Sequence, residues 1–78
     1  MRELLEYLAR GLVEHPDQVR VKEVRDDDGA TVLELAVADE DYGSVIGRGG
    51  RTASALRMVV KAAAARDKRR VFVDIVDA

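Results

Sequence analysis

Val45-Ile46-Gly47-Arg48-Gly49-Gly50-Arg51 is the stretch on which the fold turns: two branched apolar residues, then a four-residue turn with three glycines, then a second arginine. Glycine enters backbone conformations closed to other residues. At position 47 it suits the left-handed end of one helix, and at position 50 it opens the next with no β-carbon in the way. A short helix is therefore expected from Tyr42 to Ile46, stopping at Gly47. Helical periodicity resumes from Arg51 to Arg66, with Leu56, Val59, Val60, Ala63 and Ala64 on one side and Arg57 and Lys61 on another. Main chain left bare at such a turn can touch a phosphodiester. The N-terminus of the following helix offers it N–H groups and a partial positive charge, and Arg48 and Arg51 add full charges. For a four-residue Gly-x-x-Gly taken alone, the plain structural alternative is a helix-turn-helix corner.

Other phosphate motifs fit poorly. There is no Gly-x-x-x-x-Gly-Lys-Ser/Thr, and the dinucleotide pattern needs glycine at position 52, which is Thr52. Upstream of the turn, Asp39-Glu40-Asp41 is read as acids favoured by a helix dipole and not as a catalytic pair.

Working outward, Leu4, Leu5, Leu8, Leu12 and Val13 recur at helical spacing and predict a helix over residues 2–14, ended by His15-Pro16-Asp17. The lone histidine has no second histidine or carboxylate at ligand spacing, so it is read as a helix-end cation and not as a metal ligand. Residues 18–25, with Val19, Val21 and Val24, and residues 31–38, alternating Leu33, Leu35 and Val37 with Val32, Glu34 and Ala36, read as strands. The step from Val21 to Val24 breaks strict alternation and suggests a bulge or an early strand end. Asp26-Asp27-Asp28-Gly29 between them reads as a hairpin turn, since the Asp-x-Asp-x-Asp-Gly spacing of a calcium loop is missing. Val71 to Val76 alternates into a last strand.

The order is thus α-β-β-α-α-β, an α+β chain. A two-helix crossover makes the second and last strands parallel, and the hairpin supplies an antiparallel neighbour. The expected product is a mixed three-stranded sheet, in the order first-second-last, with three helices on one face.

Bulk properties agree with a single small domain over residues 1–78. At 78 residues there is room for one core, and with no cysteine neither disulfides nor thiolate metal sites contribute. A core of this size supplies only a few kcal/mol, so dimerisation would help. The N-terminus carries acids where a signal peptide needs a basic region, and no apolar run reaches the length of a membrane span, which points to the cytoplasm. The formal charge of −2 conceals a division: residues 47–70 hold eight basic residues against Asp67 alone, a net +7, leaving −9 for the remainder. One basic surface on an acidic body attracts a polyanion locally, although a solvated helix face has the same composition.

Val45-Ile46-Gly47-Arg48-Gly49-Gly50 between helices of an α-β-β-α-α-β chain resembles the KH family, whose signature in that position is Val-Ile-Gly-x-x-Gly, and the element order is similar to the type II arrangement. The length, Arg51-Thr52 and the Ala-rich helix with Leu56-Arg57 resemble the small stand-alone bacterial KH proteins of the KhpA (YlqC) group over essentially the whole chain. The resemblance implies a non-catalytic protein that binds single-stranded RNA, as an RNA chaperone or post-transcriptional regulator. Gly47, Arg48, Gly49 and Gly50 would clamp the backbone of about four unpaired nucleotides. Val45 and Ile46 would help line an apolar groove for bases, though both suit a buried core equally. Arg66 to Arg70 would correspond to the family's variable loop, with Lys68, Arg69 and Arg70 reaching further phosphates. The implied partners are a second copy or a larger protein of the KhpB (Jag) type. One departure is Gly49, where the family often has a polar or basic residue. Neither a metal nor another cofactor is expected. With only Tyr7, Tyr42 and Phe72 as aromatics, ring stacking cannot be the main source of binding energy. A KH-like protein-interaction module with little RNA affinity is the alternative.

Overall fold

The computed structural model describes residues 1–76, and of Arg48 the backbone only. Helix α1 (Arg2–Leu12) is followed by a single 3₁₀ turn (Pro16–Gln18), then β1 (Arg20–Arg25), β2 (Thr31–Ala36), the helical run α2 (Asp39–Arg66) and β3 (Val71–Val76). The sheet order is β1-β2-β3, with β1 antiparallel and β3 parallel to β2. The expected α+β class, mixed sheet and connectivity are therefore observed. Among the described residues no helix is long and apolar enough to cross a membrane.

Pleat alternation divides the sheet. Val21, Leu33, Leu35, Val73 and Ile75 point to the helices, where Leu33 and Leu35 form one core with Leu5, Ala9, Val45, Leu56, Val60 and Ala64. Val24, Val32 and Phe72 form a row across the other face, and Phe72 is half exposed there. This row accounts for the break in alternation. The β1–β2 register is unbroken from Arg20↔Ala36 to Arg25↔Thr31, so there is no bulge; Val21 and Val24 simply serve opposite faces. The hairpin closes on Asp26, whose Oδ1 accepts N–H bonds from Asp28 and Ala30, while Gly29 takes the left-handed φ of 82°.

Element ends differ from the sequence expectation for local reasons. Helix α1 stops at Leu12, not residue 14, because Val13 is extended and the N–H groups of Glu14 and His15 turn to donate to the Asp41 carboxylate, both at 3.0 Å. The 3₁₀ turn takes up Gln18, which delays β1 to Arg20. His15 therefore precedes that turn and does not end α1. Strand β2 stops at Ala36 because Ala38 caps α2, its carbonyl accepting from the N–H of Asp41 and of Tyr42. Helix α2 accordingly starts at Asp39, three residues before the expected Tyr42.

Candidate nucleic-acid interface

Gly49 and Gly50 lie inside the run Asp39–Arg66 with φ of 73° and 72°. Two consecutive left-handed residues cannot continue a right-handed helix, so α2 is two arms, residues 39–48 and 51–66, meeting at this pair. The left-handed positions are 49 and 50; Gly47, expected to hold one, stays in the first arm. A β-carbon added at Gly47, Gly49 or Gly50 would meet nothing within 4 Å, and Gly49 is exposed. The corner is bare main chain. The second arm starts here, so the positive end of its dipole lies at the corner.

The residues before the turn part ways. Val45 is 2% exposed and belongs to the core, whereas Ile46 is 38% exposed and presents its side chain at the surface beside the turn. Arg51 is exposed at the start of the second arm. The Arg48 side chain, assigned a phosphate-charge role from sequence, lies outside the described residues.

Lys68, Arg69 and Arg70 are all exposed, but they stand at the far end of the second arm, about 24 Å from the glycine corner at 1.5 Å per residue. Their loop is fastened at both ends. Lys68 takes φ 56°, its N–H donates to the Ala65 carbonyl and that of Arg69 to the Ala64 carbonyl, and the Arg70 carbonyl accepts the Thr31 N–H at 2.9 Å. Two further basic residues join this surface, Arg57 from within the counted basic segment and Arg25 from outside it. Arg57 donates from Nε to the Val73 carbonyl at 3.2 Å, which sets its guanidinium on the edge of β3. Arg25 lies beside the basic loop because the sheet aligns Arg25, Thr31 and Val71 in one row. That row was deducible once hairpin and crossover were combined.

The acids at the start of α2 divide their roles. Asp41 is buried and joins the segment that follows α1 to α2 through the two N–H bonds given above. Glu40 lies 3.5 Å from Nε2 of His15. Glu14, His15 and Asp41 thus come close together, with one ligand-type atom from each within 4.8 Å of the others. Asp41 already spends both oxygens on backbone donors.

Comparison with known proteins agrees with this geometry. The chain is 54% identical to the RNA-binding protein KhpA of Halalkalibacterium halodurans, over 99% of this chain and 100% of that one. It is 50% identical to the RNA-binding protein KhpA of Clostridium acetobutylicum, over 97% and 100%. Among solved structures, a crystal structure of Aquifex aeolicus Era bound to GDP.AlF4- superposes with a TM-score of 0.69 at 17% identity, over 97% of this chain and 29% of that one, and so shares the fold. The family model of the KhpA/KhpB KH domain matches residues 2–75, and the chain belongs to that family.

Proposed function

We propose that this chain is a non-catalytic RNA-binding protein, a single KH domain over residues 1–78 that holds the backbone of single-stranded RNA on the corner Gly47-Arg48-Gly49-Gly50. The observation that carries the reading is the pair of left-handed glycines on an exposed turn with open space where β-carbons would stand. A phosphate can approach main-chain N–H groups there, at the start of a helix, as it cannot where side chains intervene. Relatives named RNA-binding protein support the same assignment. Arg48 and Arg51 supply charge at the corner, Ile46 borders it, and Lys68, Arg69 and Arg70 supply charge at the other end of the arm.

The chain acts in the cytoplasm as an RNA chaperone or post-transcriptional regulator, paired with a second copy or with a larger protein of the KhpB type. Exposed Met58 and Val59 on the second arm support pairing, since a core this small gains from covering them.

The test is a titration of short single-stranded RNA at several salt concentrations. Neutralisation of about three phosphates gives a slope of roughly −2 in log affinity against log salt. Arg48→Asp with Gly49→Asp should abolish that binding while leaving the fold nearly intact, because Gly49 is exposed and aspartate is among the side chains least strained at a left-handed φ. Unchanged affinity in a folded double variant refutes the site, and no salt-sensitive binding by the unmodified chain favours a protein-interaction module.

A further inference from the structure

The chain has two serines and two threonines, and they differ in what their hydroxyls can meet. Thr31 is buried, Thr52 is half-buried, and Ser44 donates from Oγ to the Asp41 carbonyl at 3.0 Å. Ser54 is exposed on the second arm, four residues past the left-handed Gly50.

The surroundings of Ser54 suit a phosphate. Arg51 and Arg57 lie three residues before it and three after, the spacing at which helix side chains are neighbours, and both are exposed. The Arg57 guanidinium has five N–H donors, of which Nε serves the Val73 carbonyl. Helix Cα–Cβ bonds tilt toward the N-terminus, so a group built on Ser54 Oγ leans back over the turn that begins at Gly50. Four residues of rise put Gly50 only about 6 Å away along the axis. The positive end of the arm's dipole lies there too and favours an anion.

A modifying enzyme must draw the serine out of its helix, and this is the turn where that costs least. The two left-handed glycines interrupt the helix immediately upstream, so residues 51–54 form the fraying end of an arm and not a helix interior. Ala53 is the one fully buried side chain among those four, so opening the turn gives up little core.

We propose that Ser54 is a phosphorylation site and that its phosphoryl group turns RNA binding at the glycine corner off. A protein kinase transfers the γ-phosphoryl group of ATP to Ser54 Oγ. The Oγ–P bond forms as the bond from phosphorus to the β,γ-bridging oxygen breaks, ADP leaves with that electron pair, and the serine proton passes to the kinase's base. The product carries a charge of about −1.5 to −2 at neutral pH and three acceptor oxygens. It draws Arg51 and Arg57 onto itself and stands where the RNA backbone would lie. The inference rests on the RNA-binding reading and supplies the regulation of that site.

The experiment has two parts. Mass spectrometry of the protein purified with phosphatase inhibitors from the cells that make it, sampled throughout growth, should find a phosphoryl group on Ser54; its absence from that residue in every sample overturns the modification site. Fluorescence anisotropy with short labelled single-stranded RNA then compares the unmodified chain, Ser54→Ala, and the chain made by total synthesis with phosphoserine at position 54. Ser54→Ala should bind as the unmodified chain does. The phosphorylated chain should bind at least about tenfold more weakly at about pH 7, and the deficit should shrink as pH falls through about 6, where the phosphate takes up its second proton. Equal affinities, a deficit that ignores pH, or a phosphorylated chain that circular dichroism shows to be unfolded overturns the switch while RNA binding by the unmodified chain stands. If the unmodified chain binds no RNA, both readings fall.

Discussion

The three glycines of the corner are not interchangeable. Gly49 and Gly50 sit at φ near 70°, where an L side chain costs about 1–2 kcal/mol. Gly47 is helical with open space around it. Gly47→Ala should therefore stabilise the chain by about 0.5–1 kcal/mol through reduced freedom of the unfolded state, yet weaken RNA by placing a methyl on the surface offered to phosphate. Gly49→Ala should destabilise by about 1 kcal/mol. Urea denaturation beside an RNA titration checks both, and a Gly47→Ala protein that is more stable with undiminished affinity would count against the corner as the contact. The sequence located this corner but put the left-handed residue at 47. Any of the three glycines can adopt a left-handed φ, so the motif alone does not say which of them bends.

Among the elements, α2 is joined to the segment that follows α1 by one buried carboxylate. Asp41 accepts from two N–H groups 26 and 27 residues earlier in the chain. Asp41→Ala would leave both donors unpaired, at a cost of about 2 kcal/mol, read as a lower urea midpoint with unchanged m. A change confined to m would instead mean a looser denatured or native state. In the sequence, Asp41 reads only as an acid favoured by a helix dipole, because its partners become neighbours through the fold. Strand β3, a clean alternation preceded by basic residues, was legible to the residue. The supposed bulge at Val21 to Val24 was not, because a strand that places valine on both sheet faces looks like one that has slipped.

For the molecule as a whole, stability rests on a thin core. Leu33 is fully buried at the centre of the middle strand, and Leu33→Ala should cost about 2–5 kcal/mol, a large share of what so short a chain has. The melting temperature should fall by at least about 10 °C; a smaller shift would show that the helices collapse onto the gap. The charge division was visible in composition, but its shape was not. Lys68 to Arg70 and the glycine corner read as one basic segment, and the second arm holds them apart. The parallel pairing of β2 with β3 has a kinetic consequence. These strands meet only after everything from residue 37 to residue 70 has been laid between them, so the middle strand cannot complete its ladder from nearby chain. Until that long loop closes, Val71 to Val76 is an unsheltered β-prone segment, and the nascent polypeptide is most open to aggregation in the interval before its last strand docks.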